Sequence, residues 1–182
     1  ELGLGEKDFV ICSFGHLGET KCNDRLLSAW QQSRFPSRRN CKLVFVGANA
    51  GGTYGGDMAR RVAEIGDAVS ITGFVTPVQY QRWLEAADVA VQLRTNSRGE
   101  TSAALLDCWR VGLVAVVNEH GSLTEIPDDC AIKVPDKFAD ADLAAVLEEL
   151  FQSEEMRADF ASRGHARLIS HHSPRRCADA YA

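Results

Sequence analysis

No pair of cysteines in this chain sits at CxxC spacing, although six are present, at 12, 22, 41, 108, 130 and 177. Cys12 and Cys108 stand in apolar strand- or helix-like surroundings, so reduced thiols in a cytosolic compartment are expected rather than a disulfide framework. An excess of positive charge is also missing: the formal net charge is −5, which gives no support to a nucleic-acid partner. No apolar run approaches the length that spans a bilayer, and the N-terminus resembles no signal peptide. Neither an internal repeat nor a low-complexity segment is found. The phosphate-binding patterns G-x-G-x-x-G and G-x-x-x-x-G-K-[ST] are absent, and no Ser/His/Asp or Cys/His nucleophile arrangement is readable. The chain begins on Glu1 rather than methionine and is expected to be a fragment.

What is present is an ordinary globular composition, 45% hydrophobic and 25% charged over 182 residues, large enough for one domain with a real core. The stretch from Ala87 to Asn118 organises it: an apolar run, a polar loop, an apolar helix and a second apolar run. Val89–Leu93 and Leu113–Val117 are short and rich in β-branched residues, as strands buried on both faces are. Further strands are expected at Phe9–Phe14, Lys42–Val46 and Val69–Thr72, with a short extended piece at Ala131–Val134. Helices are expected at about 23–32, 57–65, 77–87, 102–111, 139–151 and 154–170. Thr76 caps the third, with Pro77 just inside its start. Ala48–Gly56 is read as too glycine-rich to be regular, and Ser33–Asn40 as a loop. Alternation of strands and helices implies an α/β fold, a doubly wound parallel sheet flanked by helices.

Four strand-end loops, 15–21, 73–77, 94–102 and 118–125, would gather on one edge of such a sheet, where ligands bind in open α/β folds. They offer Gly15, His16, Lys21, Glu100, Thr101, Ser102, His120 and Glu125. Glycine amides with a lysine suit a phosphate; a plain turn with a solvated lysine fits the same residues. Glu100 and Asp107, seven apart, would lie near one helix face if both were helical, and could accept hydrogen bonds from vicinal hydroxyls of a sugar or ribose. A helix-start glutamate and a paired aspartate are the simpler alternative. Asp140-Ala141-Asp142 reads as helix capping rather than a metal motif, Asp128-Asp129 as solvated acids, and His171-His172 as surface. The arginines at 157, 163, 167, 175 and 176 read as a solvated helix face, or as a contact to a further domain or an anionic membrane surface.

The ordered set Gly15-His16-Leu17-x-x-x-Lys21, Gly73-Phe74-Val75, Ala87-Asp88-Val89, Glu100…Leu106-Asp107-Cys108-Trp109-x-x-Gly112 and His120-Gly121-x-x-x-Glu125-Ile126 resembles the C-terminal half of group 1 glycosyltransferases. These are retaining, sugar-nucleotide-dependent enzymes of the GT-B fold. The resemblance implies a Rossmann-like domain over 1–182 that binds a UDP- or GDP-sugar without metal or other cofactor, its acceptor domain lying outside this chain. It implies Lys21 and Glu100 as catalytic residues. Donor contacts would come from Gly15, His16, Lys21, Glu100, Asp107, the backbone of Phe74 and Val75, and the amides of Thr101, Ser102 and Ala103. The sequence departs from the family's Gly-Arg-Leu-x-x-x-Lys-Gly at His16 and Cys22. A neutral imidazole at 16 would weaken phosphate binding or make it pH-dependent. In the family's E-x7-E pattern the second glutamate maps to Asp107, and Gly99 stands eight positions earlier, so Glu100 is displaced by one. The departures also fit a non-catalytic Rossmann-like module that binds nucleotide or a protein partner.

Overall fold

The computed structural model describes residues 2–173 together with Arg176 and Ala178; Arg175 and Cys177 lie outside the described residues. Six strands, β1 Phe9–Phe14, β2 Cys41–Val46, β3 Val69–Ile71, β4 Val89–Val91, β5 Ala115–Asn118 and β6 Ile132–Val134, form one sheet in the order β3-β2-β1-β4-β5-β6. Every pairing is parallel, from Phe9 opposite Cys41 to Asn118 opposite Val134. The extended piece near 131–134 is thus a full sixth strand.

Alternation along β1 shows why the strands are mostly apolar on both faces. Phe9 and Ile11 enter one core with Leu26, Leu27 and Trp30 of helix α1 (Asn23–Gln32) and Leu143, Leu147 and Leu150 of α5 (Asp140–Gln152). Val10, Cys12 and Phe14 enter the other, with Trp83 and Leu84 of α3 (Pro77–Ala86) and Leu105, Cys108 and Trp109 of α4 (Ala103–Arg110). Both faces are covered by helices, so the strands are mostly apolar, and buried Ser13 and Asn118 are hydrogen-bonded where they occur. The last helix, α6 (Glu154–His171), reaches both cores through Ala161 and Leu168. Gly164 admits it: a Cβ there would stand 2.4 Å from Cδ1 of the Trp109 indole.

Helix α2 corrects the sequence reading. It runs Gly52–Ile65, so Gly52 to Gly56 belong to a helix and not to an irregular stretch. Gly55 is required there by contact rather than by a turn, since a Cβ would lie 1.7 Å from the Ala50 carbonyl oxygen. Tyr54 anchors the same turn, its hydroxyl donating to Asp24 Oδ1 at 3.1 Å. Tertiary packing outweighs the low helix propensity of glycine. The 33–40 loop likewise contains a 3-10 turn, Phe35–Ser37, whose Phe35 is buried.

The capping expectations hold. Thr76 and Gln79 form a reciprocal capping box at α3. Asp142 accepts from the Ala139 amide at the start of α5, while Asp140 pairs with Arg25. Asp128 and Asp129 are exposed, as read, with Lys133 2.7 Å from Asp128 and Arg163 3.8 Å from Asp129. One surface reading needs revision. Arg157 is no solvated helix residue: it donates to the Leu150 carbonyl at 2.5 Å and stacks over Phe9. No helix among the described residues is long and apolar enough to cross a membrane.

Candidate functional site at the switch of strand order

Strand order reverses direction between β1 and β4, and an open α/β sheet leaves its ligand crevice at that place, outside the carboxyl ends of the strands. Buried Gln92 joins the two strands here. In the amide orientation that satisfies it, Gln92 accepts from the Phe14 amide at 2.9 Å and donates to the Phe14 carbonyl at 3.2 Å. Beyond, the loops diverge and are tied once more, Thr95 N–H to the Thr20 carbonyl at 3.0 Å. Thr20, Lys21, Arg94, Asn96, Arg98 and Glu100 line a cleft of about 190 Å³ between them.

Local geometry places Lys21 there. Gly15 leaves β1 at φ 110° and is held to β2 through Val46 O at 3.0 Å. Gly47 at the end of β2 crosses so near that a Cβ on it would meet the Gly15 carbonyl oxygen at 2.1 Å. Buried Asn23 accepts from the Gly18 amide at 3.0 Å and donates to Ser13 at 3.3 Å, closing the loop. A 3-10 turn, Glu19–Lys21, then presents the lysine, and Cys22 follows in the left-handed region at φ 50°. That is the only positive φ outside glycine among the described residues, at the position where the resembled family has glycine. Side chains other than glycine pay about 1–2 kcal/mol for such a conformation. Burial pushes the Cys22 thiol up to about 11, the wrong direction for a nucleophile. His16 is exposed.

Lys21 is half-buried, and burial with Arg94 nearby lowers its pKa to about 8, against a smaller opposing pull from Glu100. Glu100 is fully exposed. Its carboxylate accepts from the Arg98 amide at 2.7 Å, and its carbonyl accepts from the Ser122 hydroxyl at 2.6 Å. Bonds from its own amide and that of Arg98 lower its pKa. Glu100 precedes α4 rather than lying on it, so it shares no helix face with Asp107. Ser102 caps α4, accepting from Leu105 N–H at 3.4 Å, and Thr101 and Ala103 beside it are exposed.

Asp107 belongs to a second group. It accepts from the Tyr80 hydroxyl at 3.3 Å and faces Arg110 at 3.8 Å, while Tyr80 packs edge-on against Phe14. Burial, then Asp107, raises the Tyr80 pKa. Phe74, on the neighbouring loop, is 86% exposed and Val75 is partly buried. The structure therefore brings Lys21 and Glu100 together at one cleft and sets Asp107 with Tyr80 one helix turn further on. Sequence reading did not single out Arg94, Tyr80 or Asn118. Their signal is positional: Asn118 ends β5, Arg94 follows β4 and Tyr80 lies in the first turn of α3, and only the strand order shows that Arg94 meets Asn118. Among the described residues, no three His, Cys, Asp or Glu side chains are grouped to hold a metal.

The sequence profile of the family described as Glycosyl transferases group 1 matches residues 1–167. The chain belongs to this family. Solved structures agree on the fold. HepE of Anabaena, crystallised with UDP and glucose, is 17% identical over 90% of this chain, with a TM-score of 0.77. WaaG, a glycosyltransferase involved in lipopolysaccharide biosynthesis, is 19% identical over 92%, TM-score 0.77. The C-terminal domain of the group 1 protein LpcC from Francisella tularensis is 16% identical over 91% of this chain and 87% of its own, TM-score 0.79. This chain spans 44% of the length of HepE and of WaaG. No curated protein sequence matches it at a significant level. This member of the group 1 family thus has the Rossmann-like architecture of GT-B C-terminal domains.

Proposed function

We propose that this chain is the donor-binding domain of a retaining glycosyltransferase that moves a hexosyl group from a UDP- or GDP-sugar to a glycan or lipid-linked acceptor, with no metal. A second domain of the same protein would supply the acceptor site. In the transfer, the bond from the anomeric carbon to the diphosphate oxygen breaks and its electron pair leaves with the nucleoside diphosphate. The acceptor hydroxyl oxygen bonds to that carbon on the face the diphosphate leaves, and its proton passes to the departing diphosphate oxygen. The chain's share is to hold the charge that develops on the leaving diphosphate, which fixed donors in a partly desolvated cleft do well.

One observation carries the reading. Lys21, half-buried and with its pKa lowered to about 8, faces a cleft at the switch of strand order, with Glu100 and the start of α4 lining the same edge. The Thr101, Ser102 and Ala103 amides add the positive end of the helix dipole. Glu100, exposed, would take donor-sugar hydroxyls, and Asp107 with Tyr80 the ribose. Gly15 and His16 would line the diphosphate, with the Phe74 and Val75 backbone beside the base. That HepE was crystallised with UDP and with UDP-glucose makes a uridine diphosphate the first probe.

Calorimetric titration with UDP, GDP, ADP and dTDP, first without metal and then with magnesium, tests this. Binding of one diphosphate without metal, lost in Lys21→Ala, is the expected result. A Lys21→Ala chain that binds as tightly as the unmodified one refutes the phosphate role.

A further inference from the structure

Arg94 is held more firmly than any other cation of the cleft. Its amide donates to Asn118 Oδ1 and its carbonyl accepts from Asn118 Nδ2, both at 2.7 Å. Asn118 is buried and donates also to Asp136 at 3.2 Å, which pairs in turn with His120 Nδ1 at 2.9 Å. The backbone of Arg94 is thereby fixed by the end of β5 and cannot drift with the rest of the 94–102 loop. Its guanidinium meets only neutral acceptors, Ser102 Oγ at 3.1 Å and the Leu93 carbonyl at 3.4 Å. Among the described residues, neither Arg94 nor Lys21 has a carboxylate at ion-pair distance.

Two partly buried cations line one cleft and oppose each other, and the carboxylate among its lining residues, exposed Glu100, draws on both but is ion-paired with neither. Their repulsion is unfavourable in the empty site and is relieved by an anion carrying two charges. We infer that Arg94 is a second diphosphate-binding residue, sharing the leaving group with Lys21 and supplying from the β4 loop the guanidinium that the β1 loop lacks at exposed His16. This rests on the donor-site reading above. A guanidinium offers planar paired donors that bridge phosphate oxygens, whereas Lys21 acts as a point charge. Seated on the α4 cap through Ser102, Arg94 joins the lysine and the helix N-terminus into one cradle. Arg98, exposed in the loop and engaged through its amide with Glu100, has no such fixation. Asn118 is then a positioning residue, acting through the Arg94 backbone.

The test is calorimetry of the 182-residue chain with UDP, UMP and inorganic pyrophosphate as probes, for unmodified protein, Arg94→Gln, Arg94→Lys and Lys21→Ala. The crystallised LpcC C-terminal domain, 87% covered by this chain, is precedent for handling such a unit alone. Arg94→Gln should weaken UDP and pyrophosphate by about 10–100-fold, the effect of losing charged hydrogen bonds, and UMP by much less. Arg94→Lys, which retains stem and charge, should fall between the two. Thermal melting of each variant confirms its fold. If Arg94→Gln binds UDP as the unmodified chain does while Lys21→Ala has lost it, the Arg94 role is overturned and the donor site stands. Equal loss of UDP and UMP also overturns it, by moving the effect off the diphosphate. If the unmodified chain binds none of the probes, the donor-site reading itself fails.

Discussion

With Lys21 at the diphosphate as proposed, its lowered pKa would make donor binding pH-dependent in a direction that can be worked out. In the empty cleft the lysine titrates at about 8, chiefly because burial disfavours its charge and secondly because Arg94 repels it. A bound diphosphate favours the charged form, so the complex holds its proton to higher pH. Below pH 7.5 the lysine is already charged and binding is insensitive to its titration. Near pH 9 only about a tenth of the empty sites carry the proton, so binding must recruit it, and affinity falls about eightfold between pH 7.5 and 9. The terminal phosphate of UDP, with a pKa of about 6, is fully ionised across that window. Calorimetry in two buffers of different ionisation enthalpy should register proton uptake approaching one per UDP at pH 9, and little at pH 7. Lys21→Arg, charged throughout, should flatten the profile. UDP affinity constant from pH 7.5 to 9 with no proton uptake would refute the placement of Lys21 at the phosphates. Stability carries the opposite sign. The unfolded lysine keeps its proton up to the ordinary value of 10.5, so the unfolded state binds more protons between pH 8 and 10.5. The Lys21 contribution to stability therefore rises with pH across that window.

Two further perturbations separate donor chemistry from folding. Glu100→Ala should weaken a UDP-sugar while leaving UDP nearly unchanged in the same titration; equal loss for both would remove Glu100 from the sugar. Gly55→Ala puts a methyl 1.7 Å from the Ala50 carbonyl oxygen, and the backbone must move to admit it. It should cost about 3 kcal/mol in denaturant unfolding, whereas Gly56→Ala, one residue on and open to solvent, should stabilise the helix by about 0.5–1 kcal/mol.

Much of this architecture is legible because it is dictated by periodicity. β1, α1 and α3 fall where hydrophobic spacing and the Thr76-Pro77 cap place them, and α6 ends within a residue of expectation. Alternation of strand and helix leaves parallel pairing as the natural outcome. The failures have two causes, contacts that hydrophobic spacing does not register and the exact start of a helix. Gly52 to Gly56 look irregular in isolation because the reason for Gly55 is a carbonyl five residues earlier, and Tyr54 needs Asp24 of another helix. Glu100 and Asp107 look like one helix face because spacing says nothing of where a helix starts. Ser102, whose hydroxyl caps Leu105, begins α4 too late to include Glu100.

The site shows the same division more sharply. Lys21 stands in a glycine-bearing loop after the first strand, and its residue type is informative there. Arg94 ends the run Val91-Gln92-Leu93-Arg94, where an arginine looks like nothing more than the polar end of a buried strand. Its meaning depends on β4 lying beside β1 and β5 beside β4, which lets Asn118 grip both sides of its peptide. Cys22 belongs to the same argument. The turn that delivers Lys21 demands a left-handed residue, and a buried cysteine held there means the surrounding loop supports a conformation that side chains avoid. That turn directs Lys21 at the cleft that Arg94 also lines, and among the described residues neither cation is ion-paired there. The constellation supports the proposed anion site, with its guanidinium coming from the loop after β4 rather than from the loop after β1.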